Sequence, residues 1–261
     1  MQKYIFIKEK LYSFLGLIED IMQEHLETVI ILAGGEGKRL RPFTEHTPKP
    51  MIDIFDKPLI EHMIRILEKK GIKRIILAIG YKAGKITEYF DKKKNEFSAK
   101  IEYSIEKTPL GTGGAIRLAL SKCTDQKDVL VINGDSIFIA DLKKMYDSHK
   151  KNNALVTIGV TIIDDISASG AVKLSGPVIT EFIEKPMIKK RGIINAGVYL
   201  VNLNILNKFP KEEKFSFEKD FLEKESKNNT LYSYLIDEFY TVNDIEQYKE
   251  MVKQLNGRRL I

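Results

Sequence analysis

The sequence predicts an α/β protein with three layers, in which a mostly parallel mixed sheet is covered by helices on both faces. Short apolar runs alternate with segments of helical periodicity from Thr28 onward, which is typical of parallel sheets with crossover helices. The chain has 261 residues, enough for one large domain with a substantial core. A glycine-rich loop follows the first apolar run directly.

The predicted elements follow one another in order. Strands are expected at the apolar runs Thr28–Leu32, 74–78, 100–104, 129–133 and 154–162. Helices are expected between them, at 59–70, 82–92, 114–121 and 142–150. The glycine loop and Asp135 both come directly after a predicted strand. We therefore expect both at the carboxyl edge of the sheet, where nucleotide sites lie in such folds.

The second half of the chain has shorter predicted strands, at 170–174, Val178–Glu184 and 197–202. They predict a lobe laid against the same sheet. We therefore expect one domain over 28–261 in two lobes, 28–150 and 151–261. In the extension 1–27, Leu11, Phe14 and Ile18 recur at helical spacing, which predicts a peripheral helix without a chemical role. Whether residues 1–21 belong to the natural protein is open, since Met22 could begin the chain.

Composition and charge disfavour several classes of protein. The net charge is only +6, and no basic tract with interleaved aromatic residues is present, so we expect no nucleic-acid partner. The single cysteine, Cys123, excludes an internal disulfide framework. The sequence has neither an apolar run of membrane-spanning length nor a signal peptide. We expect a cytoplasmic location and no membrane partner, and leave a homo-oligomer open.

The glycine loop has the composition of a phosphate-binding site. Residues 32–42 read Leu-Ala-Gly-Gly-Glu-Gly-Lys-Arg-Leu-Arg-Pro, and 48–51 read Pro-Lys-Pro-Met. Glycines let backbone N–H groups approach an anion, and the following cations neutralise it. Leu40 stands where the dinucleotide fingerprint needs glycine, and Leu32 and Arg39 break the Walker pattern. The loop predicts a triphosphate site, and a glycine turn with solvated cations is the alternative.

Together with four further motifs, this loop resembles the signature of the sugar-1-phosphate nucleotidylyltransferases. The motifs are Glu106 with 109–116 (Pro-Leu-Gly-Thr-Gly-Gly-Ala-Ile), Asn133-Gly134-Asp135, Glu184-Lys185-Pro186, and 195–199 (Asn-Ala-Gly-Val-Tyr). Within the family, the sequence looks most like guanylyltransferases of mannose or manno-heptose 1-phosphates. The resemblance implies a Rossmann-like nucleotide-diphospho-sugar transferase fold. It also implies Mg²⁺-assisted attack of a sugar 1-phosphate on a nucleoside triphosphate, with release of pyrophosphate.

On the nucleotide side, the resemblance implies that Arg39 holds the triphosphate and that Lys49 binds the reacting phosphates. Glu106 stands at the base-reading position. A carboxylate matches the N1–H and N2–H donors of guanine, which favours GTP, with UTP, CTP and dTTP as alternatives. The expected nucleotide-binding set is Leu32, Ala33, Gly34, Gly35, Glu36, Gly37, Lys38, Arg39, Glu106, Gly111 and Thr112.

The resemblance makes Asp135 a catalytic residue and the principal Mg²⁺ ligand, since Mg²⁺ takes one or two protein oxygens together with phosphates and waters. The second metal position departs from the nearest relatives, because Thr241 replaces their aspartate. Asn243 matches a variant of the family that uses asparagine as a ligand, so it is our candidate, with Asp244 as the substitute. Capping of the following helix by either residue is the rival interpretation.

On the sugar side, the resemblance implies that Glu184 binds sugar hydroxyls and Lys185 the sugar phosphate. Asn195 and Gly197 would line the ring, and Gly170 belongs to the expected sugar-phosphate-binding set, which lies in the lobe 151–261. The segment 168–171 lacks a tyrosine common in relatives, so no particular sugar is assigned. Two alternatives stay open. One is a phosphorylated alcohol as acceptor, and the other is a catalytically silent regulatory homologue.

Overall fold

The computed structural model describes residues 26–256, so the predicted helix in the N-terminal extension lies outside the described residues. The strands are β1 (Thr28–Leu32), β2 (Asp53–Ile54), β3 (Lys57–Pro58), β4 (Arg74–Ile79), β5 (Lys100–Ile105), β6 (Asp128–Asn133), β7 (Ser136–Ile139), β8 (Val156–Ile163), β9 (Gly170–Ser175), β10 (Val178–Glu184), β11 (Gly192–Asn202), β12 (Leu231–Leu235) and β13 (Glu238–Thr241).

The α-helices are α1 (Leu59–Lys69), α2 (Ala83–Lys92), α3 (Gly111–Leu120), α4 (Leu142–Lys151), α5 (Glu223–Glu225) and α6 (Ile245–Leu255). A π-helical segment, Phe217–Leu222, leads into α5. No helix in the described part of the chain is long and apolar enough to cross a membrane.

Within residues 26–256, nine strands form one mixed sheet in the order β5-β4-β1-β6-β11-β8-β12-β10-β9. Strands β5, β4, β1 and β6 run parallel to one another, as do β8 and β12. Strand β11 runs antiparallel to both β6 and β8. The second half of the chain therefore extends the sheet. The sequence had predicted instead that it would form a lobe lying against the sheet.

Each face of the sheet carries its own hydrophobic core. Successive residues of β1 point to opposite faces, so Val29 and Ile31 belong to one core cluster and Ile30 to the other. Helices α1, α2, α4 and α6 cover the first cluster. Helix α3 and the segment Phe217–Leu222 cover the second. The predicted three-layer α/β class is confirmed by this arrangement.

Helix α3 begins at Gly111, earlier than the predicted start at residue 114. The reason is a contact with the distant segment 213–215. Gly113 N–H donates to Phe215 O at 3.0 Å, and a Cβ on Gly113 would lie 2.1 Å from the Phe215 ring. These glycines allow the helix start to pack closely against the segment before the π-helix.

Candidate active site

A cleft of about 700 Å³ opens at the carboxyl edge of β1, β4, β5 and β6. Most of the expected nucleotide-binding residues line it, together with Lys49 and Asp135 from the expected catalytic set. The members are Leu32, Ala33, Gly34, Gly35, Glu36, Lys38, Glu106, Gly111 and Thr112. Gly37 and Arg39 flank the cleft without lining it. Gly80 and Tyr81, which the sequence did not single out, also line it.

The glycine loop packs closely against two side chains from other segments, one near each of its ends. A Cβ on Gly34 would lie 2.8 Å from Glu106 Oε1, so glycine lets the loop pass without displacing this carboxylate. Gly37 has a left-handed backbone with φ of 63°, and a Cβ there would lie 2.9 Å from Lys49 Cβ. The loop therefore packs against Glu106 at one end and Lys49 at the other.

Lys49 and Asp135 form the centre of a charged cluster. Lys49 Nζ donates to Asp135 Oδ2 at 2.5 Å and lies 3.5 Å from Asn243 Oδ1. Arg39 also donates to Asn243 Oδ1, at 3.4 Å. The Lys49 side chain is only 11% exposed, so this ion pair is shielded from water more than a surface pair would be. Four polar residues from three distant segments thus meet beside the cleft.

The cluster has a donor set that suits Mg²⁺. Asp135 Oδ2 and Asn243 Oδ1 converge on one cation, the ammonium group of Lys49. Among residues 26–256, no cluster of three or more histidine, cysteine or acidic side chains could hold a metal on its own. A metal here would complete its shell with phosphate and water oxygens, as Mg²⁺ commonly does. Asp135 and Asn243 therefore fit this ion.

The structure separates the two candidates for the second ligand. Asp244 accepts the Gln247 N–H at 2.9 Å and caps α6. Asn243 donates its own N–H to Gln247 Oε1 at 2.9 Å, so the helix also holds the backbone just before its cap. The Asn243 side chain remains directed at Lys49 and Arg39. Side-chain capping thus belongs to Asp244, and Asn243 stays our candidate for the metal.

Glu106 lies just beyond the end of β5 and is partly fixed by the protein. Its Oε2 accepts the Leu110 N–H at 2.8 Å, and its own N–H donates to Ile79 O at 2.8 Å. The other oxygen, Oε1, lies beside Gly34, which also lines the cleft. One carboxylate oxygen is therefore anchored while the other lies at the glycine loop.

Glu184 and Lys185 lie outside the lining of this cleft. They form an ion pair of 3.0 Å in which the Lys185 side chain is 55% exposed. Lys185 has a left-handed backbone, with φ of 51°, which is costly for a residue with a Cβ. A Cβ on Gly170 would lie 3.1 Å from Glu184 Oε2, so the expected sugar-side residues Gly170, Glu184 and Lys185 do lie together.

Asn195 is tied to the nucleotide side by a hydrogen-bond chain that passes through the buried Tyr199. Its Nδ2 donates to the Tyr199 hydroxyl at 2.6 Å, which in turn donates to Glu218 Oε1 at 3.5 Å. Thr112 donates to Glu218 Oε2 at 2.6 Å. Tyr199 is fully buried, and burial raises the pKa of its phenol well above the ordinary value, which keeps it a donor. Sequence reasoning missed Glu218, because its segment carries no readable periodicity.

Gly197 lies where strands from the two halves of the chain meet. Its φ is 68°, and a Cβ there would lie 2.3 Å from Asn133 Nδ2. Its N–H donates to Asn195 Oδ1 at 2.8 Å. Asn133 itself lines the cleft. Gly197 therefore allows β11 to approach the end of β6 and orients Asn195 at the same time.

Comparison with known proteins identifies the family. The sequence model described as "Nucleotidyl transferase" matches residues 28–255. The chain belongs to the nucleotidyl transferase family. This nucleotidyltransferase is 40% identical over 227 residues to a D-glycero-alpha-D-manno-heptose 1-phosphate guanylyltransferase of Aneurinibacillus thermoaerophilus, covering 87% of this chain and 97% of that protein. A Campylobacter jejuni protein of the same name is 40% identical over 212 residues, covering 81% and 91%.

Solved structures agree with this assignment. The crystal structure of HddC from Yersinia pseudotuberculosis superposes with a TM-score of 0.77 at 33% identity, over 88% of this chain and 100% of that chain. The same protein has been solved in complex with GMP-PN. These findings confirm the predicted family, the fold and the enzyme class of the nucleotidyltransferase.

Proposed function

We propose that this nucleotidyltransferase transfers the guanylyl group of GTP to a sugar 1-phosphate of manno configuration, with Mg²⁺, and releases pyrophosphate. The observation that carries the proposal is the single cleft where the glycine loop and Glu106 meet the Lys49–Asp135 pair. In the reaction, an oxygen of the sugar phosphate bonds to the α-phosphorus of GTP. The bond from that phosphorus to the bridging oxygen of pyrophosphate breaks in line.

The attacking phosphate oxygen is already ionised, so no strong general base is required. Catalysis consists of bringing two polyanions together and stabilising the charge that develops at the α-phosphate. Arg39 and Lys49 supply cations beside the cleft, and their contacts with Asn243 and Asp135 restrict where they can lie. Asp135 and Asn243 would hold Mg²⁺, which would neutralise the negative charge that develops on the phosphate oxygens.

We expect no covalent enzyme intermediate. The single cysteine, Cys123, is fully buried and does not line the cleft. Burial is the main cause that raises the pKa of its thiol to about 11, so it is not a thiolate at neutral pH. We therefore propose that the guanylyl group passes directly from GTP to the sugar phosphate.

Guanine is the proposed base because of the chemistry of Glu106. Its anchored oxygen fixes the carboxylate, and the free oxygen can accept a hydrogen bond from the donor edge of guanine. The two relatives at 40% identity are named guanylyltransferases, and HddC has been solved with a guanine nucleotide analogue. Both facts support GTP over UTP, CTP and dTTP.

The proposed acceptor is D-glycero-α-D-manno-heptose 1-phosphate, after the names of these two relatives. Mannose 1-phosphate is the second candidate. It is named for a relative from Yarrowia lipolytica that is 33% identical, of whose length this chain covers 61%. Glu184, Lys185 and Asn195 are the residues we propose for sugar and phosphate binding. Glu184 ends β10 and Lys185 follows it, Asn195 lies on β11, and both strands pair with β9.

The test is a matrix of the four nucleoside triphosphates against 1-phosphates of manno-heptose, mannose, glucose and N-acetylglucosamine, followed by pyrophosphate release. We expect the fastest release with GTP and a manno-configured acceptor, and none from an Asp135→Ala control. Faster release with UTP or dTTP would refute the guanylyl assignment. No release from any pair would favour the regulatory homologue.

A further inference from the structure

Two hydroxyl groups, of Ser136 and Thr241, lie beside Asp135 on the side away from Lys49, and Ser136 contacts the carboxylate directly. Ser136 Oγ lies 3.2 Å from Asp135 Oδ1 and 3.1 Å from Thr241 Oγ1. Ser136 is 5% exposed, so this contact is shielded from water. The opposite carboxylate oxygen, Oδ2, faces Lys49. The two oxygens of Asp135 therefore have different surroundings, one protein-bound and one at the cluster.

Counting protons gives the pair a direction. Ser136 has a single hydroxyl proton, and a carboxylate is a stronger acceptor than a hydroxyl, so we assign this proton to Asp135 Oδ1. Ser136 Oγ then accepts from Thr241, whose own proton completes the chain. The resulting order is Thr241 O–H to Ser136 O–H to Asp135, and it requires a hydroxyl at both positions.

The same two residues also fix the backbone that carries the second oxygen donor. Strands β7 and β13 pair antiparallel with Ser136 opposite Thr241. Immediately beyond this pair, Val242 N–H donates to Asp135 O at 3.1 Å. Asn243 follows directly, with its side chain at Lys49. The hydroxyl pair thus lies at the junction that brings Asp135 and Asn243 to one place.

We propose that Thr241 and Ser136 are positioning residues for the metal, acting through Asp135. By holding Oδ1, they direct Oδ2 toward the bound cation and keep Asn243 in register beside it. The inference rests on the proposed function, because it presupposes a metal at Asp135. Hydrogen-bonded partners of metal ligands typically account for about 10- to 100-fold in metal affinity.

The test compares Thr241→Val, which keeps the β-branched shape but lacks the hydroxyl, with Thr241→Ser, which keeps the hydroxyl. For each protein, the Kd of GTP is measured by calorimetry with EDTA and with saturating Mn²⁺. The ratio of the two values reports the contribution of the metal alone. A general structural defect would change the Kd in EDTA as well. Thr180→Val is the matched control, since Thr180 is an exposed strand residue that also donates a hydrogen bond, to Lys173 O at 3.3 Å.

We expect Thr241→Val and Ser136→Ala each to reduce this ratio by about tenfold. The double variant should have nearly the same ratio as either single variant, because each substitution breaks the same hydrogen-bond chain. Thr241→Ser and Thr180→Val should keep the wild-type ratio. An unchanged ratio in Thr241→Val, with metal-dependent GTP binding intact in the wild type, would overturn this inference alone. A wild-type ratio of one would overturn it together with the proposed function.

Discussion

The proposed site has two parts, which are built in different ways. The nucleotide-facing part comprises the glycine loop with Glu106, Lys49 and Asp135, and the sugar-facing part comprises Glu184, Lys185 and Asn195. On the nucleotide side, the functional side chains follow strand ends directly, and close backbone approach at Gly34 and Gly37 sets their spacing. On the sugar side, Asn195 depends on side-chain bonds to Tyr199 and, beyond it, Glu218. The first design sets the path of the loop by backbone packing, whereas the second positions Asn195 through a chain of side-chain hydrogen bonds. Substitutions in the first should therefore affect chemistry, and those in the second affinity and stability.

The largest expected effect is on base selection. In Glu106→Gln, the amide oxygen should keep the bond from Leu110 N–H, which leaves the NH₂ group at the position of Oε1 beside Gly34. A donor would then face the donors of guanine. Unpaired polar groups of this kind discriminate by factors of about 10⁴ in favourable cases. We expect kcat/KM for GTP to fall steeply and relative use of UTP or dTTP to rise.

The matched control for this change is Glu102→Gln, on β5, the strand that Glu106 follows. Glu102 pairs with Arg74 at 3.0 Å and does not line the cleft. It should leave base selection unaltered. If Glu106→Gln kept the wild-type preference, Glu106 would not read the base.

The next effect concerns the chemical step. Arg39→Ala removes a cation whose guanidinium lies beside Asn243. We expect kcat to fall by about 10² or more, as for other losses of electrostatic stabilisation, with a smaller change in KM. Steady-state kinetics of pyrophosphate release measures both. Arg41→Ala, an exposed arginine of the same loop, serves as the comparison. Equal losses in the two variants would mean that only the general charge of the loop matters.

A smaller effect is expected on the sugar side. Lys185→Ala should raise KM for the sugar 1-phosphate by about 10-fold or more, the scale of one charge-assisted hydrogen bond, with kcat and KM for GTP nearly unchanged. Lys189→Ala, a nearby exposed lysine, should leave all three constants at their wild-type values. A fall in kcat without a rise in KM would place Lys185 with the reacting phosphates instead.

The same contrast explains what the sequence could predict. On the nucleotide side, strand periodicity predicted that the glycine loop and Asp135 lie at the same edge of the sheet, while the roles of the individual residues came from the resemblance. The pairing of Lys49 with Asp135 joins segments far apart in the chain, yet both were found because each carries its own motif. Asn243 followed only from the resemblance.

The sugar side was harder to predict because its architecture depends on contacts without local signals. Strand β12 reads Leu-Tyr-Ser-Tyr-Leu and pairs in parallel with β8. It was not predicted, because its polar residues interrupt the apolar pattern. Glu218 lies in a π-helical segment, for which sequence periodicity gives no signature. On the nucleotide side, the hydroxyl pair of Ser136 and Thr241 was missed as well, because it depends on the register of two very short strands, which tertiary packing decides.

The smallest expected effect on the kinetics is at Gly197, where the two parts of the site meet. Gly197→Ala combines a left-handed backbone with a Cβ that would lie 2.3 Å from Asn133 Nδ2. Gly176→Ala is a matched control, since Gly176 has a similar φ of 58° but nothing within 4 Å. The control should cost about 1–2 kcal/mol from the backbone alone. The crowding at Gly197 should add about 1–3 kcal/mol.

Thermal unfolding separates the two costs. With about 2–4 °C per kcal/mol for a domain of this size, Tm should fall by a few degrees in Gly176→Ala and by roughly twice as much in Gly197→Ala. Because Asn133 lines the cleft, Gly197→Ala should also raise KM for GTP several-fold, whereas Gly176→Ala should not. If both variants lost the same Tm and neither changed KM, β11 would have moved away from β6 at no cost. The sugar-facing part would then be adjustable independently of the nucleotide-facing part, and the two would not be coupled through Gly197.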